Sequence, residues 1–276
     1  MGLLKSDKLA RLEYLRWAGS NFWRASKQCP ACGSQAPHLI RRKYLVTSLY
    51  ECPSCQLRFR VPKERAEASA AYYSNESYQQ GFTTTLPGQE ELEKLLQTRF
   101  AGTEKDYAGY ISVLRKFVPV GARLLDFGCS WGYGSWQMRE AGFEVISYEI
   151  GRDRAQYARE RLGCSIVQSL RSLEGKLDCF FSAHVIEHLP DPTIVFREAV
   201  RLLRQGGVFL CFCPNGNPER AKIDDHYDKA WGKVHPMYIT PNFMRWACKE
   251  YGLVLAELSA GANLLSFELT TAAHVF

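Results

Sequence analysis

Short apolar runs alternate with segments of helical periodicity over residues 104–213. The runs have the length of buried strands and fall at residues 123–127, 144–149, 165–168, 177–183 and 207–213. Between them, apolar positions recur at helical spacing in residues 133–141, 152–162 and 193–203. Alternation of strands and helices predicts βαβ units, and therefore an α/β fold with a doubly wound parallel sheet.

The last part of the chain has a different pattern. Residues 240–251 have the periodicity of a helix, and residues 253–258 and 264–270 have the apolar character of strands. A Ser-Ala-Gly-Ala-Asn turn joins these two strands, so they can pair as an antiparallel closing hairpin at one edge of the sheet. With this hairpin the sheet is expected to have seven strands, in a domain that spans residues 104–276.

Three shorter segments precede this domain. Residues 1–28 are expected to form an amphipathic helix, whose apolar face packs on the same chain or, in a homodimer, on a second copy. Residues 63–103 form a polar connection with scattered aromatic residues, in which residues 89–100 are expected to be helical. The intervening residues 29–62 contain paired cysteines and are treated as a separate small domain.

Two CxxC pairs lie in residues 29–62, with nineteen residues between them. This spacing is typical of a zinc ribbon, in which two short knuckles supply a tetrahedral set of thiolates. Four thiolate ligands leave no coordination position open for water, so the expected Zn²⁺ is structural. The predicted ligands are Cys29, Cys32, Cys52 and Cys55.

Charge is unevenly distributed along the chain. Residues 1–65 contain 13 lysines and arginines against 4 acidic residues, whereas residues 66–276 contain 22 against 25. The basic part favours an anionic partner, although solvated helix faces explain the same excess. No apolar run reaches the ~18 residues of a transmembrane helix, and the first residues lack a signal-peptide core, so we expect a cytoplasmic protein.

The motif LLDFGCSWGYGS covers residues 124–135, where a buried strand ends at Asp126 and a glycine-rich loop leads into a helix. Glycines let the backbone approach a ligand closely, and a helix N-terminus offers unpaired N–H groups to a polar ligand. Glu149 ends the next strand, where its carboxylate can accept hydrogen bonds from both hydroxyls of a ribose. Together these features predict a nucleoside-cofactor site.

This segment resembles the class I S-adenosylmethionine-dependent methyltransferases, specifically their small-molecule branch. The resemblance includes three further stretches: SLEGKLDCFFSAHVIEHLPDP, FREAVRLLRQGGVFLCFCPN and VHPMYITPNFMRWACKEYGLVLAEL. It covers residues 104–270 and implies a Rossmann-like methyltransferase sheet of seven strands. Dinucleotide-binding dehydrogenases are the competing class, but their G-x-G-x-x-G turn is replaced by G-C-S-W-G.

The resemblance implies S-adenosylmethionine as the cofactor. The expected binding residues are Asp126, Gly128, Cys129, Ser130, Gly132, Glu149, Ile150, Gln168, Ser169, Leu170 and His184. Ser130 replaces the middle glycine of the family's commonest motif and can place a hydroxyl near the methionine end. Gln168 and Ser169 stand where many members have an acidic residue near the adenine, so the ribose contact is better supported than the adenine contacts.

Methyl transfer is an in-line displacement at a sulfonium, in which the protein aligns the reactants and removes a proton from a hydroxyl acceptor. In the sugar methyltransferases that the chain resembles, a Glu-His pair faces the acceptor, which implicates Glu187 and His188. His235, in a loop expected to cover the acceptor, is a further candidate base. Two alternatives remain: His188 only caps the following helix or packs against the loop, and His226 with neighbouring aspartates binds a divalent metal.

The resemblance leaves two roles open for the zinc ribbon. Such heads precede the methyltransferase domain in some deoxysugar methyltransferases, where they help to shape the acceptor site, and in ribosomal-RNA guanine-N1 methyltransferases, where they grip RNA. The basic excess fits RNA and equally the diphosphate of a nucleotide-linked sugar. Because no aromatic run interleaved with Lys and Arg is present to stack bases, we favour O- or C-methylation of a small molecule, sugar or glycan, with RNA as the alternative.

Overall fold

The computed structural model describes residues 15–16, 18–19, 26–43, 47–63, 84–173, 176–222, 227 and 235–255. The strands in these residues are β1 His38–Lys43, β2 Thr47–Glu51, β3 Arg58–Val61, β4 Arg123–Phe127, β5 Glu144–Tyr148, β6 Ser165–Val167, β7 Leu177–Ala183, β8 Leu203–Phe212 and β9 Met237–Tyr238. The α-helices are α1 Gln89–Gln97, α2 Ala108–Phe117, α3 Tyr133–Glu140, α4 Arg152–Leu162, α5 Ile194–Leu202 and α6 Pro241–Glu250.

A five-stranded parallel sheet forms the centre of the larger domain, with the strand order β6-β5-β4-β7-β8. Its strands are almost continuously apolar because both faces are covered. In β7, for example, the neighbouring residues Phe180 and Phe181 are fully buried in two different apolar layers. This sheet confirms the predicted α/β fold with a parallel central sheet.

Helix α5 packs on the sheet through apolar residues that recur on one of its faces. The helix ends at Leu202, and β8 begins at Leu203, four residues before the predicted start of that strand. The strand starts early because Leu203 already pairs with Leu177, while the next pair joins Val208 to Cys179. The paired glycines therefore lie in a bulge within the strand pairing rather than in a loop before it.

The other helices agree closely with the periodicity of the sequence, with two exceptions. Helix α1 ends three residues before the predicted residue 100, because Arg99 and Phe100 have positive φ angles of +51° and +62°. Helix α2 was not predicted. Within the described ranges, every helix falls short of the length and apolar character that crossing a bilayer requires.

The second sheet is antiparallel, with the strand order β1-β2-β3-β9. Strands β1 to β3 belong to the cysteine-rich segment, which we call the ribbon. Strand β9 comes from the chain after β8 and pairs with β3 through Arg58–Tyr238 and Phe59–Met237. The sequence analysis missed β9 because two residues are too few to show an apolar pattern.

The ribbon and the parallel sheet contribute to the same apolar layer. Leu57 and Phe59 of the ribbon are fully buried, and they belong to one cluster with Ile239 and Phe243 of the larger domain. The expected boundary between the ribbon and the methyltransferase domain therefore divides the sequence, but it does not divide this apolar cluster, to which both parts contribute.

Three predicted elements lie wholly or mostly outside the described residues. They are the N-terminal helix, the polar connection before residue 84, and the closing hairpin formed by residues 253–258 and 264–270. The homodimer expected through the N-terminal helix and the seven-strand count depend on these segments. Both stay predictions.

Candidate functional site

The four predicted zinc ligands lie together in the ribbon, with all four Sγ atoms within 4.8 Å of one another. The Sγ atoms of Cys29 and Cys55 are 3.5 Å apart, and those of Cys32 and Cys52 are 3.4 Å apart. Zn–S bonds of ~2.3 Å in a tetrahedron require S···S distances of ~3.8 Å, so the cluster fits the ion. A hydrogen bond from Cys55 lowers the pKa of Cys29 to about 5, which provides a thiolate at neutral pH.

Both CxxC pairs are closed by the same backbone turn. The N–H of Gly33 donates to the carbonyl of Cys29 at 3.1 Å, and the N–H of Gln56 donates to the carbonyl of Cys52 at 2.8 Å. Gly33 and Gln56 also share a positive φ, at +75° and +58°. The two pairs are therefore equivalent knuckles, as a tetrahedral site built from two halves requires.

The predicted glycine-rich loop follows β4 at the carboxyl edge of the parallel sheet. Gly128 and Gly132 have φ angles of +83° and +88°, a region that side chains disfavour. A Cβ atom at Gly128 would lie 2.4 Å from Val185, and one at Gly132 would lie 2.8 Å from Ala158. Glycine is therefore required at both positions, both for the turn and for close packing.

Cys129 and Ser130 lie between these two glycines. Burial raises the pKa of the Cys129 thiol well above its usual value, so this side chain is neutral. Ser130 has a φ of +52°, and its buried hydroxyl oxygen has no hydrogen-bond partner among the residues that the structure describes. A buried hydroxyl without a partner is expected where a ligand supplies the missing hydrogen bond, and here that ligand would be the polar end of the expected cofactor.

Asp126, the last but one residue of β4, is 2% exposed. Its Oδ2 accepts a hydrogen bond of 2.6 Å from the Ser135 hydroxyl, which in turn accepts one of 2.8 Å from Ser147. Burial, with a smaller contribution from the negative charge of Glu149, outweighs the opposing effect of the Ser135 bond and raises the pKa of Asp126 to about 7. The strand end therefore carries a carboxyl group that titrates near neutral pH.

Glu149 directly follows β5, and backbone and side-chain donors fix its carboxylate. Its Oε2 accepts the backbone N–H of Ser130 at 3.0 Å, and its Oε1 accepts the N–H of Gly151 at 2.6 Å. Arg154 forms an ion pair with Oε1 at 2.8 Å, and both side chains are at least nine-tenths buried. Each carboxylate oxygen has two lone pairs, so Oε2 retains an acceptor site for a ribose hydroxyl.

The remaining predicted cofactor residues follow β5 and β6 at the same edge. Ile150 is 50% exposed directly after Glu149. Gln168 and Ser169 are exposed, Leu170 is half-buried, and the Ser169 hydroxyl accepts a backbone hydrogen bond from Arg171 at 3.2 Å. The positions suit an adenine contact, which stays a prediction for these residues.

His184 follows β7 and was predicted to line the cofactor. Its ring contacts two other residues: Nε2 lies 3.2 Å from the Tyr110 hydroxyl, and Nδ1 lies 3.5 Å from Oε1 of Glu187. The cofactor contact stays a prediction. The backbone has a φ of +57° and is held by a 2.8 Å hydrogen bond to the carbonyl of Phe212. Strained positions of this kind concentrate at functional sites. His184 therefore links the cofactor edge to the predicted catalytic residues.

The predicted catalytic residues Glu187, His188 and His235 form one cluster. Oε1 of Glu187 lies 3.8 Å from Nε2 of His188, and the rings of His188 and His235 are 4.7 Å apart between centroids. Glu187 is 2% exposed, and neither of its oxygens has a hydrogen-bond partner within the described residues. The structure thus brings together three side chains that are separated by up to 48 residues in the sequence.

Two opposing effects determine the pKa of Glu187. Burial raises its pKa, but His184 and His188 outweigh burial, so that the pKa lies below its usual value. A buried carboxylate beside an imidazole can orient the ring and stabilise its protonated form, which is the arrangement of an oriented general base.

The same cluster also has the composition of a metal site. Ligand atoms of Glu187, His188 and His235 lie within 4.8 Å of one another, and one carboxylate with two imidazoles is a ligand set that divalent transition metals accept. The other metal site considered, at His226 and the neighbouring aspartates, lies outside the described residues.

Three residues of the site were missed by the sequence analysis. Arg154 pairs with Glu149, Tyr110 contacts His184, and Ser135 bonds Asp126. A basic residue in the first turn of the helix after Glu149 was a usable signal for Arg154. Tyr110 had none, because it lies in the unpredicted helix α2, outside every motif.

A parallel sheet with a glycine-rich loop after one strand and a carboxylate after the next is typical of α/β proteins that bind nucleosides. A family model described as "Methyltransferase domain" matches residues 92–258. This match covers more than half of the chain, so the chain belongs to the methyltransferase-domain family. The family predicted from the sequence is confirmed.

Curated relatives match a part of this domain. A ubiquinone biosynthesis O-methyltransferase of Xanthomonas axonopodis pv. citri (strain 306) is 29% identical over 119 residues, which are 40% of this chain and 49% of the relative. One of Ruegeria pomeroyi (strain ATCC 700808 / DSM 15171 / DSS-3) is 30% identical over 130 residues, 44% of this chain and 48% of the relative. The chain spans about half the length of the curated relatives it matches.

A solved structure supports the fold. Streptomyces venezuelae DesVI has a TM-score of 0.51 and 16% sequence identity, over 68% of this chain and 99% of that chain. At this level of identity the likeness concerns the fold alone.

Proposed function

We propose that the protein is an S-adenosylmethionine-dependent methyltransferase that acts on a small-molecule or sugar acceptor. The observation that carries the proposal is the cluster of Glu187, His188 and His235 at the carboxyl edge of the sheet. The same turn brings Val185 against Gly128 of the glycine-rich loop. Ligands of open α/β sheets bind at this edge, so a methyl donor in the loop and an acceptor at the cluster would be neighbours.

The cofactor would occupy the loop between β4 and α3. The Ser130 hydroxyl, which lacks a hydrogen-bond partner among the described residues, and the positive φ angles of Gly128 and Gly132 support a polar ligand in close contact with this backbone. Glu149, fixed by Arg154, would accept the ribose hydroxyls. When bound, S-adenosylmethionine supplies an electrophilic methyl group on a sulfonium.

The protein's own task would be to align the acceptor and remove its proton. His188 is the proposed base, because buried Glu187 can stabilise its protonated ring, and His235 would complete the wall of the acceptor site. The relatives named ubiquinone biosynthesis O-methyltransferase favour a hydroxyl acceptor within the broader set of oxygen and carbon acceptors. One structural Zn²⁺ in the ribbon is part of the proposal, supported by the four Sγ positions.

The test is methyl transfer from S-adenosylmethionine to three acceptor sets: catechol-type phenols, nucleotide-linked sugars and ribosomal RNA. We expect turnover with one of the first two sets. The variants His188→Ala and Glu187→Gln should lower kcat by about 10²–10⁴-fold while the Kd for S-adenosylmethionine is kept, as expected for loss of a general base. Matched Glu160→Gln, the same acid-to-amide change at an exposed position of α4, should leave kcat unchanged.

Two outcomes would contradict the proposal. Turnover with RNA alone, with binding that weakens steeply as salt is raised, would favour the RNA alternative, to which the exposed Arg41 and Arg42 of β1 would contribute. A rate that depends on added Mn²⁺ or Co²⁺ and is lost in His188→Ala would assign the cluster to metal binding instead of base catalysis.

A further inference from the structure

His235 lies at a junction between the two sheets. It directly precedes Pro236 and β9, and its ring is 4.7 Å from His188. Whatever holds residues 236–238 therefore contributes directly to its position. A strand of two residues makes too few backbone hydrogen bonds to be stable alone, so its pairing partner decides where it lies.

That partner is β3 of the ribbon. Within the described residues, β9 pairs with β3 alone, through Phe59–Met237 and Arg58–Tyr238. The backbone N–H of Arg60 extends the pairing by donating to the carbonyl of Pro236 at 2.8 Å. The ribbon contact thus reaches the residue next to His235.

The other end of this segment is also attached to the ribbon. The Thr240 hydroxyl donates to the carbonyl of Gln56 at 2.9 Å, and Gln56 directly follows the zinc ligand Cys55. Between the two ribbon contacts, the carbonyl of Ile239 accepts the N–H of Gly216 from the loop after β8. Residues 236–240 are therefore held from two sides, by the ribbon at both ends and by the larger domain in the middle.

The order of β3 depends in turn on the cysteine cluster. Cys52 and Cys55 form the knuckle between β2 and β3, and both are fully buried. The N–H of Cys52 donates to the carbonyl of Leu57 at 2.9 Å, which sets the start of β3. Because structural zinc sites contribute directly to folding, metal in this cluster would fix the strand on which β9 rests.

We propose that the ribbon is a positioning element for His235: strand β3 holds β9, and through it the His235 ring, against His188. Arg60 is then a positioning residue that acts through its backbone N–H. The consequence for turnover rests on the proposed function, whereas the structural coupling between the cysteine cluster and residues 235–240 does not.

Hydrogen–deuterium exchange of the full chain, with and without a zinc chelator, tests the structural coupling. We expect metal removal to raise the exchange of residues 58–61 and 235–240 together by at least tenfold, while β4 and β7 keep their protection. Continued protection of residues 235–240 would overturn the proposal. Loss of protection throughout the parallel sheet would also overturn it, because the ribbon would then support the whole fold and not this segment.

A matched pair of variants tests Arg60 without touching a zinc ligand. Arg60→Pro removes both the side chain and the N–H donated to Pro236, whereas Arg60→Ala removes the side chain and keeps the N–H. We expect the proline variant alone to show fast exchange of residues 235–240 and a shifted resonance of the His235 ring. Equal exchange and equal resonances in the two variants would overturn the role of the backbone contact.

Turnover separates this inference from the proposed function. A misplaced His235 should lower kcat on the order of 100-fold in Arg60→Pro relative to Arg60→Ala, with an unchanged Kd for S-adenosylmethionine. If the wild type transfers no methyl group, the proposed function fails while the exchange result still decides the coupling. If exchange is coupled but the two variants turn over equally, the proposed role of the ribbon in placing His235 for catalysis is wrong.

Discussion

The fold buries the carboxyl group of Asp126 beside a second acid, Glu149, at the centre of the candidate cofactor site. Burial raises the pKa of Asp126 to about 7, compared with ~3.9 in an unfolded chain. Well below pH ~4 the group is protonated in both states, so its ionisation has no effect on stability. As the pH rises toward 7, the unfolded chain releases this proton before the native state does, so the group increasingly destabilises the fold.

The variant Asp126→Asn should therefore be more stable than the wild type at neutral pH. We expect its advantage in the free energy of unfolding to grow from pH ~4 to pH ~7, toward an upper limit of about 4 kcal/mol. Urea denaturation of the cofactor-free protein across this pH range measures it. Asp178→Asn is the matched control of opposite sign, because a hydrogen bond from Arg123 lowers the pKa of Asp178. An advantage of Asp126→Asn that does not depend on pH would contradict the assignment.

The buried pair of Glu149 and Arg154 gives a second prediction for single residues. Glu149→Gln leaves the guanidinium of Arg154, itself 5% exposed, without its carboxylate, which should cost about 3–5 kcal/mol of stability. Arg154→Met should cost less, because Glu149 keeps the N–H groups of Ser130 and Gly151 as donors. Chemical denaturation ranks the two variants. Equal losses would show that the backbone donors do not stabilise the carboxylate.

Among the elements, helix α3 must come close to the chain segment before α2. A Cβ atom at Gly134, the second residue of α3, would lie 2.3 Å from the ring of Tyr107. Gly109 is the second residue of α2, and a Cβ there would have no neighbour within 4 Å. Alanine should therefore stabilise the helix at position 109 by up to ~1 kcal/mol and destabilise the protein at position 134. Thermal unfolding of the two variants checks this; a stabilised Gly134→Ala protein would contradict the close contact.

The elements also show which features the sequence could predict. Strands β4, β5 and β7 and helices α3 to α5 were predicted because each buries enough apolar residues to leave a periodic pattern. Strand β9 was missed because its stability comes from β3, far away in the sequence. In the same way, the glycine loop and the CxxC pairs are local motifs, whereas the contact of Tyr110 with His184 joins residues 74 positions apart.

In the molecule as a whole, the ribbon and the parallel sheet share an apolar layer, so neither part buries all of its apolar residues without the other. A fragment of residues 84–276 would lose Leu57 and Phe59 from the cluster that contains Ile239 and Phe243. Because large exposed apolar patches promote association, we expect this fragment to self-associate more strongly than the full chain. It should still bind S-adenosylmethionine, since the glycine loop and Glu149 lie within it.

A fragment of residues 26–276 is the matched control, because it lacks the segment before the first knuckle but keeps the ribbon. We expect it to keep the association state of the full chain, whereas the fragment of residues 84–276 should form larger species. Light scattering after size-exclusion chromatography measures the masses, and calorimetry measures cofactor binding. If the fragment of residues 84–276 associates no more than the fragment of residues 26–276, the ribbon does not cover an apolar surface that promotes association. If both fragments associate to the same extent, coverage by the ribbon does not explain the association.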